Sequence, residues 1–139
     1  MTGVFPSPHG GQVPVLRIGD VLLVTLQGDL HDSTAEQLQQ DVSEAAADSR
    51  VNGVVLDLSG VEIVDSFLGR VLSDIAAKTR LLAAETVVAG MRPAVAITLV
   101  ELGLTLPGLR TALSTDEALR LLGEASVSPR YGRTRQESP

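Results

Sequence analysis

One stretch of the chain decides the fold: residues 53–72, with the sequence GVVLDLSGVEIVDSFLGRVL. Residues 53–58 form a short, nearly continuous apolar run, which is the pattern of a β-strand covered on both faces. Beyond this run the period changes, because apolar pairs recur every four residues from Phe67 to Ala76. A buried strand followed by an amphipathic helix predicts an α/β fold.

The N-terminal part of the chain predicts a hairpin and a helix. Residues 13–18 and 21–27 are rich in β-branched residues and leucine, and the Gly19-Asp20 pair between them favours a tight turn. Ser33 and Glu36 have the spacing of a capping box, which predicts a helix that begins there and continues to about residue 47.

The C-terminal part continues the alternation of strand and helix. Residues 85–89 are predicted to form a strand, and Pro93 suits the first turn of a helix that ends just before Gly103. A short edge strand is expected within residues 104–113. A final helix opens with a second capping box at Ser114 and is predicted to end at Gly123.

The chain is therefore predicted to hold one α/β domain. With 139 residues it is long enough for one core and too short for two ordinary domains. The domain is expected over residues 13–123, between a flexible leader at 1–12 and a flexible tail at 124–139. Its sheet is predicted to be mixed, with four or five strands and about four helices packed mainly on one face.

Composition excludes several classes of function. The formal net charge is −6, and an acidic chain with one Tyr, two Phe and no Trp suits neither phosphate-backbone binding nor base stacking. Without cysteine there is no disulfide framework and no thiolate metal site. Neither an apolar run of ~20 residues nor a signal peptide is found, so a soluble, cytoplasmic protein is expected.

Candidates for catalytic or metal chemistry are few. His31 lies in a predicted loop with Asp29 and Asp32 and can bind a metal there. A solvated turn is favoured, because two acids and a lone histidine offer no second shell of ligands. No phosphate-binding loop and no dinucleotide fingerprint is present. The sequence therefore predicts a protein that is not an enzyme and needs no cofactor or metal.

Ser66 is the candidate site, because it lies directly after Asp65, at the point after the predicted strand where the helix begins. Serine is a preferred helix N-cap, and physical chemistry alone favours this structural role over a switch. The two roles are compatible, because exposed amides and the helix dipole stabilise a phosphate at a helix N-terminus. With Glu62 and Asp65 nearby, a phosphate at Ser66 would make the surface strongly anionic and expel a partner fitted to the neutral surface.

The residues predicted to contact a partner around Ser66 are Glu62, Asp65, Phe67, Gly69 and Arg70. Gly69 costs roughly 1 kcal/mol relative to alanine inside a helix, and either close packing or the approach of a partner explains it. The carboxylates of Asp57, Glu62 and Asp65 suggest acid–base chemistry, the binding of a divalent ion, or a solvated rim. The rim is favoured, because acids suit the positive end of a helix dipole.

Three segments resemble one family. Residues 57–67, DLSGVEIVDSF, resemble the phosphorylation segment of STAS-domain anti-sigma-factor antagonists. Residues 93–103, PAVAITLVELG, are similar to the segment typical of stressosome STAS proteins of the RsbR and RsbS type. Residues 22–27, followed by Asp32 and Thr34-Ala35, add a third match. A single domain without a sensory partner domain resembles the RsbS type.

The resemblance implies a STAS fold and a place in a stress-signalling complex. Such a protein would form homo-oligomers, co-assemble with RsbR-type paralogues and sequester a serine/threonine switch kinase of the RsbT type. Phosphorylation of the serine that matches Ser66 would release the kinase, and a PP2C-type phosphatase would reset the state.

Two other functions stay open at this point. One is a solitary anti-anti-sigma factor that binds an anti-sigma kinase directly, without a large assembly. The other is a small-molecule sensor or enzyme, which needs a pocket with polar anchors that the sequence does not offer.

Overall fold

The structure is a computed structural model that describes residues 3–4, 13–27, 31–103 and 109–131. Within these residues six strands and four helices follow one another. In chain order they are β1 (Gly3–Val4), β2 (Val15–Ile18), β3 (Val21–Gln27), α1 (Asp32–Ala46), β4 (Gly53–Gly60), α2 (Ser66–Leu81), β5 (Glu85–Ala89), α3 (Pro93–Glu101), β6 (Arg110–Ala112) and α4 (Thr115–Tyr131).

The strands form one mixed sheet in the order β1-β2-β3-β4-β5-β6. The strand β2 is antiparallel to both of its neighbours, β1 and β3, and β3 to β6 run parallel. Gly19 has a φ of +62° in the turn between β2 and β3, a conformation that glycine adopts without strain. The mixed sheet and the hairpin confirm the predicted α/β class.

The two faces of the sheet are covered unequally. The larger core lies between the sheet and α1, α2 and α3, where Leu56 and Leu72 are fully buried. On the other face Val55 and Val87 pack with Leu122 of α4. The strand β4 is thus covered on both faces, as its continuous apolar run predicted, and three of the four helices lie on one face.

Several element ends agree with the local signals. Pro93 is in the first turn of α3, and Gly103, two residues beyond its end, has a φ of +74°. The Ser114 hydroxyl accepts a hydrogen bond from the Glu117 amide at 3.2 Å, which is the predicted cap of α4. The strand predicted at residues 85–89 is β5.

The predicted capping box of α1 is wrong. The N-cap is His31, two residues before the predicted cap Ser33, and its side chain makes no capping hydrogen bond. The Ala35 amide donates to the His31 carbonyl at 2.8 Å, so Ser33 already lies within the first turn. A serine inside the turn has helical backbone angles and cannot serve as the cap.

Two other predictions about the chain ends need correction. Residues Gly3–Val4 fall within the predicted leader, yet they pair antiparallel with β2, whose outer edge offers unpaired backbone groups. The helix α4 does not end at Gly123 but continues to Tyr131, because one glycine weakens a helix by only about 1 kcal/mol and does not by itself end it. The rest of the predicted leader and residues 132–139 lie outside the described residues. Among the described residues, no helix combines the length and the apolar character that a membrane span requires.

Candidate functional site

The loop between β4 and α2 holds the candidate site at the carboxyl edge of the parallel strands. Val61 and Val64 are buried and anchor the loop to the larger core, whereas Glu62 and Ile63 are exposed. The Val61 amide donates to the Leu58 carbonyl at 3.0 Å, which turns the chain sharply after the strand. Because the two buried valines fix the loop on the core, the first residue of α2 has one defined position.

Asp65, not Ser66, is the N-cap of α2. Its backbone is extended, with φ −118° and ψ −180°, and its Oδ1 accepts a hydrogen bond from the Leu68 amide at 2.9 Å. The predicted cap role of Ser66 is therefore wrong. Both residue types are good caps, and the position of the loop anchors decides which of them stands at the boundary.

Ser66 is the first residue of α2, and its side chain is exposed. Its hydroxyl has no hydrogen-bond partner among the residues that the structure describes, whereas the neighbouring carboxylate is occupied with the cap. The first amides of a helix and its dipole favour an anion at this position. The arrangement therefore offers an accessible hydroxyl at a place where an added phosphate is stabilised.

The other predicted contact residues divide between surface and interior. Glu62 and Arg70 are exposed, and Arg70 lies one helical turn after Ser66 on the same side of α2. Phe67 is partly buried and packs against the larger core. Gly69 is buried, which favours close packing as the reason for a glycine there.

A second group of residues ties the ends of β4 and β5 together, and sequence reasoning did not predict it. The Asp57 Oδ1 accepts from the Ser59 amide at 3.0 Å, and the Arg92 Nε donates to the Ser59 carbonyl at 3.3 Å. Gly90 has a φ of +70°, and a Cβ there would lie 3.1 Å from the Ser59 Cβ. The signal in the sequence is a glycine directly after a strand, which marks a close backbone approach. The half-buried Asp57 thus also holds the chain beside the site.

Metal chemistry finds no support in the described part of the chain, since no group of three or more potential ligands is placed together there. His31 and Asp32 are exposed at the start of α1, and Asp29 lies outside the described residues. The site around Ser66 consists of a hydroxyl, carboxylates and an arginine at the surface.

Comparison with known proteins gives matches to one domain family. Residues 12–118 match the STAS domain family. The fold is similar to that of a serine-to-glutamate variant of Moorella thermoacetica RsbS, with a TM-score of 0.74, 35% identity, and coverage of 84% of this chain and 98% of that one. It is also similar to a chain of a structure described as the molecular architecture of the stressosome, a signal integration and transduction hub. The TM-score is 0.73 and the identity 37%, and the match covers 82% of this chain and 99% of that one.

A curated relative adds a further likeness. The RsbT co-antagonist protein RsbRD of Bacillus subtilis (strain 168) is 32% identical over 107 residues, which make up 76% of this chain. The matched part is 38% of that protein, so the chain spans less than half the length of this relative.

Proposed function

The chain belongs to the STAS domain family, in its stressosome type of anti-sigma factor antagonist, and from this premise we propose that it is a non-catalytic, phosphorylation-switched scaffold. In this role it holds a serine/threonine switch kinase of the RsbT type within a cytoplasmic stress-signalling complex. Phosphorylation of Ser66 releases the kinase, and a PP2C-type phosphatase restores the binding state.

The observation that carries the proposal is the exposed hydroxyl of Ser66 at the first position of α2. Because Asp65 already caps the helix, the hydroxyl has no structural task among the described residues. A group that the fold does not use can be modified without unfolding the domain. The switch therefore acts on binding and leaves the domain folded.

Charge explains the direction of the switch. A phosphate adds about 1.5 to 2 negative charges at pH 7 and three acceptor oxygens. Glu62 and Asp65 already place two carboxylates within four residues of Ser66. A kinase surface fitted to the neutral serine would meet an anionic cluster after modification, and like charges at a contact weaken binding.

Similarity to a stressosome chain and to an RsbT co-antagonist protein supports the proposed partners. We expect the chain to co-assemble with RsbR-type paralogues and to form part of a large complex. A sizing experiment with such a paralogue separates this role from that of a solitary anti-anti-sigma factor. If the mixture never exceeds a monomer or a small dimer, the solitary role is favoured.

The site of modification is tested by mass spectrometry after incubation with an RsbT-type kinase and ATP. We expect one phosphate on Ser66 and none on the Ser66→Ala variant. Ser59→Ala is the matched control, because Ser59 is also exposed at the end of β4 and should leave the phosphorylation unchanged. Phosphate confined to any other residue contradicts the proposal.

The switch itself is tested by kinase binding. Ser66→Ala should retain the kinase in the presence of ATP, and Ser66→Asp should weaken kinase binding about tenfold or more, because it adds one permanent charge at the contact. Ser66→Asn controls for the size of the side chain without the charge and should bind like the wild type. Equal kinase binding by the Asp and Asn variants would show that charge at this position does not control release.

A further inference from the structure

Arg70 is an exposed cation near the start of α2 whose charge the fold does not use. Its side chain makes no hydrogen bond or ion pair within the part of the chain that the structure describes. Arg80, at the far end of the same helix, shares this property. The other Lys and Arg side chains that the structure describes donate hydrogen bonds, namely those of Arg17, Arg50, Lys78, Arg92, Arg110 and Arg120.

An acid follows Arg70 on the exposed side of α2, yet the two residues do not pair. Asp74 lies four residues after Arg70 and is exposed as well. Helical side chains lean toward the N-terminus of the helix, so a cation meets an anion four residues before it better than one four residues after it. Arg70 is therefore better placed for an anion at position 66 than for the carboxylate at position 74.

Position 66 holds such an anion once Ser66 carries a phosphate. Ser66 and Arg70 are four residues apart on α2, and residues at this spacing have Cβ atoms about 5 to 6 Å apart. The Leu68 amide already donates to the Asp65 Oδ1 at 2.9 Å, so the helix start has fewer backbone donors left for a phosphate. A guanidinium offers two parallel donors that match a phosphate.

We propose that Arg70 is the counter-ion of the phosphate on Ser66, and that phosphorylation thereby removes this cation from the surface offered to the kinase. This inference rests on the proposed function, because it requires a phosphate at Ser66. The unmodified surface presents Arg70 together with the carboxylates of Glu62 and Asp65. Phosphorylation adds a dianion and at the same time engages the cation, so the surface changes by more than the added charge.

The ion pair is expected to be modest in strength, because both groups lie at the surface. The second ionisation of phosphoserine has a pKa of about 6, and a nearby cation favours the dianion and lowers this pKa. A pair four residues apart on an exposed helix corresponds to a shift of about 0.3 pH unit. Such a shift is measurable at a single phosphorus atom.

A ³¹P NMR titration tests the ion pair in the full chain with phosphoserine placed at position 66 during translation. Arg70→Gln should raise the pKa of the phosphate by about 0.3 pH unit, and Arg70→Lys should raise it less, because lysine keeps the charge. Arg80→Gln is the matched control, since it removes the same charge from an exposed arginine about 21 Å further along α2. It should leave the pKa unchanged, and high salt should reduce the effect of Arg70→Gln.

Kinase binding by the unmodified chain tests whether the cation belongs to the docking surface. Arg70→Gln should weaken the binding of an RsbT-type kinase about threefold, because it removes a charge from the contact. Arg80→Gln should bind like the wild type. Circular dichroism should show that all variants stay folded.

Two results would overturn the inference. An equal phosphate pKa in the wild type and in Arg70→Gln shows that Arg70 is not the counter-ion. Equal kinase binding by these two unmodified chains shows that the cation is not part of the docking surface. Neither measurement needs the kinase to act on Ser66, so a kinase that leaves Ser66 unmodified contradicts the proposed function in the mass spectrometry experiment and is not confused with either result.

Discussion

Asp65 and Ser66 stand side by side, and the structure gives them separate roles. The carboxylate of Asp65 satisfies the Leu68 amide, and the hydroxyl of Ser66 is left exposed. Had the serine been the cap, its modification would have removed a hydrogen bond that begins the helix. With the cap on the neighbouring residue, the proposed modification of Ser66 should leave the first turn of α2 intact.

This separation predicts different effects of two substitutions on stability. Asp65→Ala should lower the free energy of unfolding by about 1 kcal/mol, because it removes the cap, whereas Asp65→Asn should retain most of the stability, since asparagine also caps helices. Ser66→Ala should change the free energy of unfolding by less than about 0.5 kcal/mol. Urea unfolding measures all three. If Ser66→Ala costs as much as Asp65→Ala, the serine is the cap after all.

The contact between α2 and β5 includes a polar pair that the apolar core must accommodate. Thr79 of α2 and Thr86 of β5 are both buried, and their hydroxyl oxygens lie 2.7 Å apart. The Thr79 hydroxyl also donates to the Ala76 carbonyl at 3.1 Å. Because its single proton is used there, Thr79 accepts from Thr86. Both hydroxyls are satisfied, and the pair joins a helix to the strand beneath it.

The direction of this hydrogen bond predicts an asymmetry between two variants. Thr79→Val leaves the Thr86 hydroxyl buried without an acceptor and should cost about 1 to 3 kcal/mol of unfolding free energy. Thr86→Val leaves the bond from Thr79 to Ala76 intact and should cost less. The double variant should be more stable than Thr79→Val alone, because no unpaired hydroxyl remains. Equal costs for the two single variants, measured by urea unfolding, would contradict the assigned direction.

The edge of the molecule opposite the site is held by a charged cluster. Asp48, just after α1, accepts hydrogen bonds from Arg17 of β2 and from Arg50, each at 2.8 Å. These hydrogen bonds, first from Arg50 and then from Arg17, hold the pKa of Asp48 well below its usual range. The hydrogen bond from Arg120 likewise lowers the pKa of Glu117 in α4. Each link stabilises the folded chain only while its carboxylate is charged.

Lowered carboxyl pKa values predict the pH dependence of folding. In the unfolded chain Asp48 protonates near its ordinary pKa of about 4, whereas in the folded chain it protonates only at lower pH. Its stabilisation is therefore fully present above about pH 5 and is lost as the pH falls below about 4. The free energy of unfolding should decrease over this range, and Asp48→Asn should flatten the decrease. Arg50→Gln should flatten it partly, because Arg17 remains. An unchanged pH profile for Asp48→Asn would show that this cluster does not contribute.

Local patterns in the chain were sufficient for most of the architecture. The continuous apolar run of β4, the period of α2, Pro93 before α3 and the Ser114 cap of α4 are all signals between near neighbours in sequence, and each was confirmed. The pairing of an acid with a serine at the start of α2 was likewise visible, and so was the candidate site.

The remaining features depend on contacts between distant parts of the chain. Which of Asp65 and Ser66 caps α2 follows from where Val61 and Val64 anchor the loop in the core, and the strand Gly3–Val4 exists because β2 offers it an open edge. The face of α3 that stays exposed is defined only once Val95 and Leu99 are packed in the larger core. Hydrophobic periods and caps are properties of a few consecutive residues, so a sequence displays them directly. Which groups become buried, paired or exposed depends on the packing of segments far apart in the chain, and that information arises only when the core forms.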